Sequence, residues 1–214
     1  MSDILSHTAT VFMGLFAIMN PIANTPVFIG LTSDDDQATK KAIAFKSTSL
    51  AFLIVMVFCL SGKSIFEVFG ITLPAFRITG GVLVLLVGFH MLHGSQSPVH
   101  NPSHEDNQKS IEADLSVAIS PLAIPILAGP GTIVAAMNFS TGGSLVNMGI
   151  TLVSFGFLCV ITYVFFVFGQ KIIKYIGESA LKVITRLMGL ILAVIGTQML
   201  IEGIDGSIKM FKFK

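Results

Sequence analysis

The sequence predicts an all-α polytopic membrane protein with six transmembrane helices arranged as two inverted three-helix repeats, the first and fourth helices being discontinuous. Three observations predict it. Only 12% of the residues are charged and 53% are hydrophobic, whereas a soluble domain carries about a quarter charged residues. The apolar residues gather into six runs close to the ~20 residues that a helix needs to cross a bilayer. Prolines and polar residues interrupt the first and fourth of these runs in related stretches.

The first span covers residues 8–31 and carries LFAIMNPIANTPVFIGL. The preceding MSDILSHTAT lacks the positive flank of a signal peptide, so this span is expected to be retained. The second span covers residues 48–69 and is interrupted by SGKS. Lys63 and Glu67 follow its most apolar stretch, so it can equally run from Ala42 to about Leu60, leaving IFEVFGITLP as an interfacial turn or short helix. The third covers 76–92, the fourth 115–137, the fifth 145–168 and the sixth 183–204. GQKIIKYIGESALK, between the last two, reads as an amphipathic connector. The chain is thus one integral membrane domain, 1–214, with a first repeat at 8–93, a polar connecting loop at 94–112 and a second repeat at 113–205.

The odd-numbered connections carry eight basic residues: Lys40, Lys41, Lys46, Lys109, Lys171, Lys174, Lys182 and nearby Arg186. The opposite face carries five: Lys63, Arg77, Lys209, Lys212 and Lys214. Positive residues collect on the cytoplasmic side, so both termini are expected in the periplasm.

The halves echo each other. NPIANTP at Asn20 resembles SPLAIP at Ser120, pairing Pro21 with Pro121 and Ala23 with Ala123, with a second proline in each at Pro26 and Pro125. At a spacing of 108, Gly81 pairs with Gly189, Gly88 with Gly196, Met91 with Met199 and Leu92 with Leu200. Apolar runs match cheaply; glycines and prolines in the same order do so less easily. Three spans per half reverse the chain, so two such halves have opposite topologies, as in many secondary transporters. The glycines should also let the third and sixth helices approach closely.

Proline removes a backbone donor and clashes with the preceding turn. MNPIANTP should therefore open the first helix between Asn20 and Pro26, and SPLAIPILAGPGT the fourth between Ser120 and Pro130. The freed backbone groups cost several kcal/mol each facing lipid, roughly, and are tolerated only inside protein or along a wet cavity. The candidate binding residues are Asn20, Pro21, Asn24, Thr25 and Pro26 from the first span, with Ser120, Pro121, Pro125, Gly129, Pro130, Gly131 and Thr132 from the fourth. A proline kink without a ligand is the plainer alternative, but two prolines in one span and three in the other, beside polar residues, favour a break.

Other classes find little support. A net charge of +1 gives no basic field for nucleic acid. Cys59 and Cys159 lie in apolar runs without a CxxC. LAGPGT lacks the spacing and lysine of a phosphate loop. His90, His93, His100 and His104 read as a wet tract rather than a metal cluster. No cofactor is implied, and no catalytic set can be placed.

At NPIANTPVF, FRITGGVLVL, PLAIPILAGPGTI and VITRLMGLILAVIG the chain resembles the MarC family of bacterial inner-membrane proteins, grouped with neutral amino-acid transporter-like proteins. These motifs run from about residue 11 to about residue 205. The resemblance implies six spans in two inverted repeats with broken first and fourth helices, a bacterial inner-membrane location, and transport of glycine and other neutral amino acids, as described for archaeal relatives. The family's first motif falls on Asn20, Pro21 and Pro26, and its second on Pro121, Pro125, Gly129, Pro130 and Gly131. Ala23 stands where family members commonly have glycine, and its methyl group would narrow a backbone site.

The expected partners are membrane lipid and a small neutral solute. No carboxylate lies firmly inside a span, while helix ends can hold a zwitterion without one. Coupling to protons or sodium is open: His90, aligned with Gln198, reads better as a membrane-edge histidine bonded to a carbonyl, and Glu67 and Glu202 lie near span edges. Arg77 and Arg186 are expected to reach head groups. A passive channel and a structural membrane protein are the rival readings.

Overall fold

The computed structural model describes residues 2–32, 35–93, 127–140 and 145–212, and these are helical, with no strand among them. Helix α1 is Ser2–Met19, α2 Pro21–Leu31, α3 Gln37–Phe69, α4 Leu73–Leu92, α5 Pro130–Ser140, α6 Leu145–Val167, α7 Gly169–Ile176 and α8 Glu178–Lys212. Five helical stretches among the described residues are long and apolar enough to cross a membrane: Ile4–Leu31, Gln37–Gly62, Leu73–Leu92, Leu145–Val167 and Ser179–Met210. Of the expected fourth span, residues 115–126 lie outside the described residues, and α5 alone, 11 residues, is too short to cross. The connecting loop at 94–112 and the motif Ser120, Pro121 and Pro125 also lie outside.

The outward faces are apolar. Leu53, Val57 and Leu60 on α3, Val153, Phe157 and Val160 on α6, and Leu187, Leu190 and Val194 on α8 are all exposed. Water would penalise such rows; hydrocarbon does not. Inside, hydroxyls are buried by bonding back to their own helix. Thr48 donates to Ala44 O at 2.9 Å, Thr162 to Leu158 O at 2.8 Å and Ser47 to Ile43 O at 2.7 Å.

Two packing cores flank α1. Val11, Leu15 and Met19, one turn apart, face α3 and α6 through Ala51, Val55, Phe155 and Leu158. Ala17 and Ile18 face α4 and α8 through Val84, Val87 and Leu192. The closest approach is between α4 and α8. A methyl group built on Gly196 would sit 2.5 Å from Leu85 N and 2.7 Å from Gly81 O, and one on Gly88 would sit 2.7 Å from Gly189 O. Residue numbers fall along α8 as they rise along α4, so the two helices are antiparallel with backbone against backbone. The expected glycine contact is therefore present. Helices α3 and α6 are also antiparallel: Phe45 meets Tyr163 edge-on at 6.4 Å, and Phe52 packs on Phe155 at 6.5 Å.

One expectation is corrected in part. The apolar span runs Gln37–Gly62, close to the expected end near Leu60, but α3 continues as one helix through SGKS to Phe69, and the turn comes only at Gly70, whose φ of 62° suits a residue without Cβ. IFEVF is thus the end of a long helix, not a separate element. Arg77 has partners within the protein. Its Nε donates to Asn138 Oδ1 of α5 at 2.7 Å and lies 3.8 Å from Glu202 of α8, which also accepts from Gln198 at 3.2 Å.

Candidate substrate site at two interrupted helices

The first span breaks between α1 and α2. Asn20 adopts φ 41° and ψ 68°, the one non-glycine residue at positive φ among the described residues. Asparagine tolerates this left-handed geometry better than most residues. Pro21 follows as the first residue of α2, where a missing N–H costs nothing and its fixed φ suits a helix. Together they stop one helix and start another. Pro26 does not open the chain; it sits on the exposed side within α2.

The asparagines divide the work. Ala23 N–H donates to Asn20 Oδ1 at 3.2 Å, capping α2. Asn24 Nδ2 donates to Met19 O at 2.6 Å, satisfying a carbonyl at the end of α1. Thr25 donates to Pro21 O at 2.7 Å. Because Asn20 Oδ1 must face the Ala23 N–H, its amide nitrogen points away from α2. That nitrogen is buried and has no hydrogen-bond partner among the described residues. Asn20 as a whole is 3% exposed.

The second interruption is at Gly129 and Pro130. Pro130 opens α5, and Ile133 N–H donates to Gly129 O at 3.0 Å. Helix geometry leaves the N–H groups of Gly131 and Thr132 without partners inside the helix. Thr132 is wholly buried, and its hydroxyl also has no partner among the described residues. A methyl on Gly131 would sit 3.9 Å from Ile18 Cγ2, so the start of α5 lies against the end of α1. Ile18 packs with Val84 and Val87, in the middle of α4, which puts this junction well inside the bundle.

The arrangement brings together the carbonyl end of α1 and the amide ends of α2 and α5. Helix N-termini favour negative charge and C-termini positive charge. With Asn20 Nδ2 and Thr132 Oγ1 added, the junction offers donors for an anionic group and carbonyls for a cationic one. Of the predicted residues, the structure sets Gly131 against Ile18, two residues before Asn20, turns Asn24 and Thr25 to helix bonding, and leaves Pro26 aside. The Arg77–Asn138–Glu202 cluster was missed as a cluster; the signal available was a lone asparagine, Asn138, inside an apolar run. His90 Nδ1 lies 2.7 Å from Leu86 O, the carbonyl contact expected of it.

An all-helical chain with lipid-like outer faces and interrupted helices packed inside is an integral membrane protein. It belongs to the family described as MarC family integral membrane protein, whose model matches residues 5–208. The chain is 38% identical over 203 residues to the UPF0056 membrane protein YvbG of Bacillus subtilis, covering 94% of this chain and 95% of that one. It is 36% identical over 211 residues to the UPF0056 membrane protein MJ1677 of Methanocaldococcus jannaschii, covering 95% and 98%. It is 30% identical over 223 residues to the UPF0056 inner membrane protein MarC of Escherichia coli, covering 99% and 100%. No solved structure matches the chain.

Proposed function

We propose that this chain is a secondary transporter or exporter of small neutral solutes, amino acids foremost, working by alternating access around its two broken helices. One observation carries the reading. Two helix N-termini and one helix C-terminus meet inside the bundle, beside a buried Asn20 amide and Thr132 hydroxyl without partners among the described residues. Unpaired buried polar groups are costly, and a bound zwitterion would relieve that cost. Its carboxylate would take the amide ends and its ammonium the carbonyl end of α1.

The same proposal includes six spans in two inverted repeats, with both termini in the periplasm. Gly81 meets Gly196, and its sequence counterpart Gly189 meets Gly88, the counterpart of Gly196. Such an exchange is what a pseudo-two-fold axis between opposed halves would produce.

The test is uptake into proteoliposomes of radiolabelled glycine, alanine and serine, with and without a proton or sodium gradient. Saturable uptake that is lost in Asn20→Ala is expected, and gradient dependence would name the coupling ion. Flux that never saturates and never accumulates would replace the transporter with a passive channel. No movement of any solute would leave a structural membrane protein.

A further inference from the structure

A cavity of about 340 Å³ lies between the end of α2, the start of α3 and the corner joining α6 to α7. It is separate from the Asn20–Thr132 junction. Three lysines line it: Lys40 and Lys41 from α3, and Lys171 from α7. Segments far apart in sequence thus bring like charges together, and no acidic residue is among those lining the cavity. Among the described residues, no ion pair involves these three lysines. Asp36 stands at the edge, but its carboxylate accepts the Thr39 N–H at 2.8 Å, at the cap of α3.

The positive charge comes from the lysines. Helices α3 and α7 start at the cavity while α2 and α6 end there, and Asp36 caps α3, so the helix ends offset one another and the three lysines carry the attraction for an anion. Gln37 and Gln170 add amide groups to the wall. The other wall is aromatic. Phe28 and Phe166 stack with centroids 4.4 Å apart and planes 6° apart, and Phe168 beside them is half exposed. A basic mouth on an aromatic wall, at the end of a bundle with apolar outer faces, suits an anion attached to hydrocarbon.

We propose that this cavity binds a phosphate group, held by Lys40, Lys41 and Lys171, and that it belongs to the head group of an anionic membrane lipid. Juxtamembrane basic residues attract anionic head groups in this way. The proposal does not depend on transport. It needs only the cavity and its charge.

The purified full-length chain in non-ionic detergent would be titrated with phosphatidylglycerol, phosphatidylcholine and inorganic phosphate, reading thermal unfolding and native mass spectrometry. Phosphatidylglycerol should bind saturably and raise the Tm, and phosphatidylcholine should not. Each lysine changed to glutamine should weaken binding about fivefold. The triple variant Lys40→Gln, Lys41→Gln, Lys171→Gln should lose the response, and the matching triple arginine variant should keep it. If the triple glutamine variant does not fold, Lys171→Gln and Lys171→Glu give the same reading singly. Inorganic phosphate raising the Tm as much as the lipid would identify a soluble phosphate as the source. Equal binding of phosphatidylcholine, or phosphatidylglycerol binding unchanged by the lysine variants, would overturn the proposal.

Discussion

The α4–α8 contact and the junction of α1, α2 and α5 are both built from residues that a soluble helix would avoid, yet they use them oppositely. At α4–α8, glycines keep their helices intact and remove side chains, so that backbones touch along several turns. At the junction, Asn20 and Pro21 interrupt the helix and leave the Asn20 amide unpaired among the described residues. Lipid offers no hydrophobic drive between helices, so close van der Waals packing must supply their association. The first region converts small residues into adhesion. Under the proposed transport function the second keeps polar groups for a solute, so damage to the first should be read in folding and damage to the second in binding.

The largest effect is expected at the glycines. Gly88→Leu would drive a side chain into a backbone that already lies 2.5 Å from where its Cβ would be, at Ala193 N. Helices α4 and α8 cannot separate without uncovering both. We expect no folded protein, and Gly88→Ala should already cost about 1–3 kcal/mol, measured as the unfolding midpoint in detergent. Gly149→Ala is the contrast, since a methyl there meets nothing within 4 Å. Equal losses in both would remove the special status of the α4–α8 contact.

Asn20 comes next and separates backbone from side chain. Asn20→Ala should destabilise by about 1–2 kcal/mol, since alanine resists the left-handed conformation and cannot cap α2. Asn20→Gly keeps the backbone geometry, and replacing a cap by glycine costs only a few tenths of a kcal/mol, roughly. If the amide binds solute, Asn20→Gly folds with nearly unchanged stability and still fails to transport. Full transport by Asn20→Gly would reduce the residue to a hinge.

How much of this was legible beforehand follows from the same contrast. The glycine contact could be read because small residues repeat at helical spacing and their purpose is local. The break at Asn20–Pro21 could be read because proline has one mechanical effect. Its exact partner groups could not, because NPIANTP has two asparagines and two prolines with equal claims. The structure decides by geometry: Asn20 takes the left-handed turn, so Asn24 becomes the residue that satisfies Met19 O, and Pro26 falls on an exposed side. Of the two bounds offered for the second span, the end near Leu60 matches the apolar stretch, which closes at Gly62, and the end at Phe69 matches the helix, since nothing in SGKS stops a helix and the left-handed Gly70 does. The protein partners of Arg77 were not legible because Asn138 and Glu202 lie far away in sequence.

Thr132→Val gives a smaller effect than either. Removing a buried hydroxyl without a partner, and keeping the shape, leaves stability unchanged or slightly raised. If the hydroxyl binds solute, the apparent affinity should weaken about three- to tenfold, the worth of one hydrogen bond. A concentration series of uptake would check it, and an unchanged half-saturation would limit the α5 contribution to its backbone.

The smallest effect compares two caps of the same kind. Asn20 caps α2 inside the bundle with a group that does not titrate, and Asp36 caps α3 at its exposed start. Side-chain and backbone hydrogen bonds from Thr39 hold the Asp36 carboxylate below its ordinary value of 3.8. A depressed carboxylate binds its proton less readily folded than unfolded, so its contribution is present above the ordinary value and is lost as pH falls through the folded one. Acidification should therefore fray the first turn of α3, seen as faster amide exchange at Thr39, while α2 keeps its cap. Asp36→Asn should retain a cap and lose the pH response. An equal response at Ala23 would mean that acid loosens the bundle as a whole rather than this one turn.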